Sequence, residues 1–447
     1  MKKIIFIGLS ILTTIGAYTQ NNVLDATDKA SIIQDKQKGK EPVLDINGYF
    51  EGRIGFRVQN DQNQNYTSIS EFRLQLETEK ELGPFMFNIV SDFVLDPITM
   101  EDAKDIYKVD LDTGEGLIDM RQANVVFSPF NFADVKIGRQ ILTWGTGDLI
   151  FINDLFAKDW KSFFIGRNDE YLKAPTDAAK VSIFSKILNI DVVYTPRFGA
   201  DRFIDGGRIS FYDRSLNDFR GEDNPISAEI PDTWFEDDEI AIRVYRSFGT
   251  YEGALYYYNG FWKSPAGQEI GTGRAIFPDL EAYGASFRGP IAKGIISLEG
   301  GYYKSAPGAS NVASIRNDEL RLLAGYEREI ATELTFGIQY NLVHKLDYEA
   351  YVNGLPDWAI KDEEYRHITT LRLTKRLMQQ NLKLSLFNYY SPSDEDGYLR
   401  LRASYKISDV AKIDGGSNFF YGNRNHTFFN QFNSNSNVYL GLRYEFN

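Results

Sequence analysis

From residue 43 to the C-terminus the chain alternates between apolar and polar positions. In "VLDINGYFEGRIGFRVQ" (43–59), Leu44, Ile46, Gly48, Phe50, Gly52, Ile54, Phe56 and Val58 fall on one side of an extended strand. Asp45, Asn47, Tyr49, Glu51, Arg53, Gly55, Arg57 and Gln59 fall on the other. Strand side chains change face with period two, so this stretch reads as a strand with one apolar and one wet face. Its alternation runs for about fifteen residues, longer than the five or six of an ordinary globular strand. A membrane-crossing strand needs roughly nine to eleven. The chain also closes this way: in "NVYLGLRYEFN", Val438, Leu440, Leu442, Tyr444 and Phe446 share one face.

The pattern recurs near 66–81, 84–95, 118–129, 133–144, 177–185, 188–196, 239–248 and 251–262. It continues near 280–289, 294–305, 317–330, 333–346, 365–377, 381–390, 397–407 and 410–420. Every second connection is tight, as in "ELGP", "GTYE", "GPIAKG" and "SDVAK", and those between are mostly longer, the longest being 145–176 and 197–238. Sorting of connections by parity is the mark of an outer-membrane barrel, with short periplasmic turns and long extracellular loops. A soluble sandwich has no reason for it. The reading is an all-β, transmembrane, antiparallel up-and-down β-barrel over residues 43–447, with about 18 strands. Weak alternation in the fourth, fifth and seventeenth could move the count to sixteen, and "KIGRQIL" breaks alternation enough to hold a bulge. Aromatics gather at strand ends: "YYYNGFW" (256–262), Tyr302, Tyr303, Tyr340, Tyr389, Tyr390, "FFY" (419–421) and Trp144 at the outer ends. Phe127, Phe248, Phe287, Tyr326, Tyr405 and Phe446 mark the inner ends. Two such girdles are expected where rings meet the two membrane interfaces.

Composition agrees. A mean hydropathy of -0.35 is too polar for a helical membrane protein, yet 27 tyrosines and 32 phenylalanines suit a girdled wall. The chain has no cysteine, which removes disulfides and thiolate chemistry. A net charge of -13 argues against a nucleic-acid partner. "MKKIIFIGLSILTTIGAYTQ" has two lysines, an apolar stretch from Ile4 to Ala17, then small residues, the layout of a secretory signal peptide over 1–19. Residues 20–42 read as a flexible periplasmic leader. The expected location is the outer membrane of a Gram-negative cell, with lipid around the wall and the C-terminus on the periplasmic side.

A terminal alternating strand with an aromatic at its end resembles the assembly signal of outer-membrane proteins; here Asn447 follows Phe446. The strand-then-loop stretch "KIGRQILTWGTGDLIFINDLF" (136–156) resembles porin-like barrels of the phosphate-selective or alginate-export type. That resemblance implies a channel for small hydrophilic solutes, no cofactor and no enzymatic activity. Parity places a ladder of basic residues on the inner wall: Arg53, Arg57, Arg372, Arg376, Lys383, Arg400, Arg402 and Arg443. The strands carrying 372–402 have no inward acid, and this leans the solute class toward anions or zwitterions. The competing reading is that these arginines pair with acids and hold the wall together.

Acids cluster in loops, with Asp96, Glu101, Asp102, Asp105, Asp110, Asp112 and Glu115 in one and "DTWFEDDE" in another. A loop of this kind folded in opposite the ladder would set a transverse field. The 145–176 loop is instead rich in apolar residues, which water does not normally tolerate on display. It is expected to fold into or over the mouth as a short helical or turn-rich constriction. Phe156, Trp160 and Phe163 would pack on the wall, and Asn153, Asp154, Lys158, Asp159, Arg167 and Asp169 would line the pathway. Contact with a second copy of the barrel is the alternative. Its Gly-Thr-Gly (145–147) lacks the Gly-Lys-Ser/Thr ending of a phosphate loop. The three histidines form no pair with metal-ligand spacing, and no Gly-x-Ser-x-Gly elbow occurs, so neither metal nor catalytic residues are expected. Two other functions stay open: a substrate-specific transporter with an aromatic binding loop, and a non-conducting barrel that binds a surface partner.

Overall fold

The computed structural model describes residues 45–100, 108–269, 272–309, 314–357 and 359–447. Residues 45–447 form one compact unit. The expected signal peptide (1–19) and leader (20–42) lie outside the described residues. Eighteen strands make one sheet. The first six are β1 (Ile46–Arg57), β2 (Thr67–Leu82), β3 (Phe85–Leu95), β4 (Ile118–Phe130), β5 (Ala133–Ile141) and β6 (Pro175–Ile183). Next come β7 (Asn189–Thr195), β8 (Glu239–Phe248), β9 (Tyr251–Phe261), β10 (Asp279–Ile291), β11 (Gly294–Ser305) and β12 (Glu319–Ala331). The last are β13 (Leu334–Lys345), β14 (Tyr365–Leu377), β15 (Leu382–Ser391), β16 (Asp396–Lys406), β17 (Ala411–Gly422) and β18 (Asn437–Phe446). Each strand pairs antiparallel with its sequence neighbours, and β1 pairs with both β2 and β18, which closes the barrel. Closure leaves no edge, the condition a sheet must meet to cross a bilayer.

The two faces of the wall follow the sequence alternation. In β1, Tyr49, Glu51, Arg53 and Arg57 are buried inside, and Phe50, Ile54 and Phe56 are exposed outside. β18 repeats this with Tyr439 and Arg443 inside and Val438, Leu440, Leu442 and Tyr444 outside. No helix among the described residues is long and apolar enough to cross a membrane, so any crossing is made by strands. The connections that follow even-numbered strands are all tight and gather at one end of the barrel, here the turn end; those at the other, the loop end, are longer except for the four-residue link 392–395. The two-residue turn Ala292–Lys293 has φ of 48° and 66°, the left-handed geometry whose twist matches a hairpin.

Two sequence features resolve into local detail. "KIGRQIL" keeps a continuous register with β4 and β6, but Gly138 within it has φ 117° and lies so close to β4 that a Cβ would strike the Ala123 carbonyl oxygen. The outer girdle is thinner than the strand-end aromatics suggested. Tyr302, Tyr340, Tyr390 and Tyr421 do face outward, whereas Tyr256, Tyr258, Tyr303, Tyr389 and Phe420 are buried inside. Period two sends alternate rings inward, and at the loop end those rings have a packing partner in the lumen.

Candidate functional site: a loop seated in the lumen

That partner is the connection from β5 to β6, residues 142–174. It holds one short helix, α1 (Trp160–Ile165), and a 3-10 turn at Asp169–Leu172. Asp159 caps α1, accepting from the Ser162 backbone N–H at 2.7 Å and its hydroxyl at 2.7 Å. Gly166 ends it with φ 95°, pressed so close to the Tyr439 ring that a side chain would not fit. The carbonyls left open at that end are met by the wall: Asn418 and Asn437 donate to Phe164 O at 3.1 and 2.9 Å, and Arg53 donates to Gly166 O at 3.0 Å. Phe163, Phe164, Ile165 and Leu172 join one apolar cluster with wall residues Ile69, Ile368, Phe387, Tyr389, Tyr398 and Phe420. Phe164 meets Phe420 edge-on at 5.0 Å and Phe163 meets Tyr398 at 5.7 Å. Burying one such ring contributes about 1.5–3 kcal/mol. Farther up the loop, Ile152 and Phe156 join a second cluster with Tyr258, Trp262, Tyr303 and Leu323. Trp160 is half-buried, edge-on to Phe151 at 6.1 Å, and its indole N–H donates to Asp201 at 3.0 Å.

The wall is recessed where the loop touches it. Gly284 of β10 and Gly301 of β11 stand opposite each other in register. A Cβ on Gly284 would collide with Asn153 Oδ1, and one on Gly301 would come 2.8 Å from Ile152. Beside them Glu299, buried at 4 % exposure, accepts from four donors of the loop. Its Oε1 takes the backbone N–H groups of Thr146 and Gly147, the latter at 2.7 Å. Its Oε2 takes the backbone and side-chain N–H of Asn153 at 3.2 and 2.9 Å. Asp154 is buried too, accepting from Thr143 at 2.7 Å and pairing with Lys158 at 3.0 Å.

The basic residues expected on the inner wall sit on β14, β15, β16, β18 and β1. The acids that meet them come largely from the seated loop. Asp148 pairs with Arg372. Asp169 pairs with Arg400 at 2.6 Å and Arg402 at 3.5 Å, and Glu170 with Arg443 at 2.6 Å. Wall acids add Glu51, 3.2 Å from Arg53 and 2.8 Å from Arg443, and Asp414, 3.0 Å from Arg53 and 3.3 Å from Arg402. Arg57 donates to the Arg208 carbonyl at 2.7 Å and to Asn435 at 3.3 Å. Lys383 is exposed to the lumen, outside ion-pair distance of any described carboxylate, though within the field of Asp169. Burial works to raise the Asp169 pKa, but Arg400 and Arg402 beside it hold it well below the usual carboxylate range.

The opposite flank is fixed by an aromatic wedge. Tyr171 is buried, with Arg73 over its ring at 4.2 Å and Arg121 at 5.0 Å. Its hydroxyl bonds the Tyr49 hydroxyl. Arg167 reaches Glu71 at 2.6 Å. The acidic loops serve elsewhere: Asp96 pairs with Arg208, Asp112 with Arg197 at 2.8 Å, and Glu115 with Lys161 at 3.3 Å. Glu101, Asp102 and Asp105 lie outside the described residues. Among the described residues no group of three or more metal-ligating side chains comes together.

With this geometry in view, comparison with known proteins bears on the fold. No family model and no curated protein matches the sequence. Among solved structures, Acinetobacter baumannii OccAB4 superposes with a TM-score of 0.54 at 9% identity, over 90% of this chain and 97% of that one. Pseudomonas aeruginosa OccK11 gives 0.51 at 9%, over 90% and 95%, and P. aeruginosa OccD3 gives 0.51 at 10%, over 91% and 91%. These neighbours are outer-membrane porins. The fold they share is a closed antiparallel β-barrel, here of 18 strands. At such identities the likeness is one of architecture, so the contents of this barrel have to be read from its own residues.

Sequence reasoning did not find Glu299, Tyr171, Asp148, Glu170 or the Gly284–Gly301 pair. A signal for the glycines was present: both occupy inward positions of regular strands, where a missing side chain marks close approach by another backbone. Glu299 adjoins such a glycine two residues on. Nothing in local pattern pairs it with residues 146–153, about 150 positions earlier.

Proposed function

We propose that this chain is a porin-type channel of a Gram-negative outer membrane, through which small hydrophilic solutes diffuse past the seated 142–174 loop. The observation that carries this reading is a closed barrel whose inner wall is charged and whose lumen is narrowed by its own loop. Loops face the cell exterior and turns the periplasm, as short turns and long loops do in such barrels. Residues 1–19 direct export, 20–42 form the leader, and the C-terminus lies in the periplasm.

Solute choice falls to the ladder and the loop tip that covers it. Arg53, Arg57, Arg400 and Arg443 are buried and engaged, so they set the field and hold the loop. The lean toward anions or zwitterions rests on exposed Lys383, on Arg376 and on the half-exposed Asp169 and Glu170 pairs that a passing anion can contest. Such solutes fit the resemblance to phosphate-selective or alginate-export barrels. Phe156 and Phe163 are buried at 5 % and 2 % exposure, which leaves little ring surface for an aromatic binding platform and favours diffusion. Swelling of proteoliposomes in isotonic solutes of increasing size tests this. Swelling that falls off with solute size is expected; vesicles no more permeable than protein-free ones would overturn the reading.

A further inference from the structure

The lipid-facing wall has a dent with a cation at its edge. Toward the turn end, six outward residues stand in one cross-strand row: Leu334, Lys375, Leu384, Ala403, Gly415 and Leu440. The two smallest are neighbours, so the surface drops between leucines. The hollow is a groove of about 420 Å³, walled by Leu373, Leu384, Leu386 and Leu401. Lys375 borders it and also a second hollow of about 450 Å³ at the turn end, lined by Thr332, Glu333, Arg376, Gln379 and Gln380. An apolar trough therefore runs into a polar one through a single lysine.

That lysine has no acid of its own. Its ammonium donates to the Thr332 carbonyl at 2.8 Å, and no described carboxylate lies within ion-pair distance. Glu333, the acid lining the same hollow, is held by Gln380 at 2.9 Å and lies 3.8 Å from Arg376. A lysine on a lipid-facing surface extends to the interface, where phosphate is the anion available.

We propose that this groove binds one phospholipid of the leaflet at the turn end, an acyl chain lying over Ala403 and Gly415 and the phosphate on Lys375. The proposal requires the barrel to span a bilayer but not to conduct, so it stands or falls separately from the channel reading. The molecule supplies its own control. Ala285 and Gly300 form the same small outward pair on β10 and β11, in a row with Leu255 and Leu322 and no cation.

The test is native mass spectrometry of the full-length barrel, released from uncharged detergent after incubation with palmitoyl-oleoyl phosphatidylglycerol. Wild type should retain one lipid after the micelle is stripped. Ala403→Leu, which fills the dent from the lipid side, should lose it, and Ala285→Leu should keep it. Lys375→Gln should weaken retention about fivefold, the effect of one interfacial lysine on an anionic lipid. No lipid retained above the micelle background, retention by Ala403→Leu equal to wild type, or equal loss in Ala285→Leu would overturn the site. Unchanged retention in Lys375→Gln would overturn the phosphate assignment.

Discussion

Glu299→Gln is the change that most sharply separates a seated loop from a merely adjacent one. The Glu299 carboxylate takes four N–H donors from Thr146, Gly147 and Asn153. A glutamine of the same shape keeps one oxygen and turns an NH₂ group toward two of those donors. Hydrogen bonds to a charged group contribute about 1.5–3 kcal/mol each, so losing two costs about 3 kcal/mol even at the lower figure. That is roughly two orders of magnitude in the balance between seated and lifted states of residues 145–153. The rest of the loop stays anchored, because Arg400–Asp169, Arg443–Glu170 and Arg167–Glu71 are untouched. Single-channel recording in a planar bilayer should therefore show larger open-channel noise and excursions to higher current, with the barrel still folded by gel mobility. Traces indistinguishable from wild type in both mean current and noise would refute the claim that Glu299 holds the loop in place.

Gly284→Ala should give a similar phenotype by steric means, because its Cβ would occupy the space of Asn153 Oδ1; the same recordings check it. Lys383→Glu inverts an exposed, unpaired cation. With each unit charge about 7 Å from the path worth ~0.6 kcal/mol at the dielectric constant of water, the two-charge change shifts anion and cation by ~1.2 kcal/mol each in opposite senses and should move the anion-to-cation permeability ratio toward cations by roughly fiftyfold. Reversal potential under a salt gradient reads this directly. Selectivity should also be flat between pH 7 and about 5. Asp169 has a pKa depressed below its unfolded value near 3.9, so its pairing with Arg400 persists above that value and is lost only as pH falls through the lower folded one. A step in reversal potential centred near pH 6 would contradict the Asp169 assignment.

The strands and their number were legible because lipid on one side and charge on the other impose period two on every strand, and parity of the connections then orders them. β4, β5 and β17, the weakest by pattern, are present with the rest. The irregularity in "KIGRQIL" came from the single left-handed Gly138. What pattern could not convey was which side of the wall each rim aromatic serves, since Tyr302 and Tyr303 are adjacent and equally aromatic but face lipid and lumen respectively. The site was legible by halves. Parity put Arg53, Arg372, Arg400, Arg402 and Arg443 on one arc, and Arg53 pairs with Glu51 on its own strand face, but Arg372, Arg400, Arg402 and Arg443 meet Asp148, Asp169 and Glu170, more than 200 residues before them. Long-range ion pairs leave no local trace. The wall glycines and Glu299 that receive the loop make sense only once the loop is in place.

The most direct test of the central claim is the single-channel current of purified wild-type protein in a planar bilayer under a salt gradient. Stable steps are predicted, with a reversal potential displaced toward the anion and a conductance that rises when residues 149–165 are deleted. A folded, inserted barrel that passes no current, before and after that deletion, would contradict a channel constricted by its own loop.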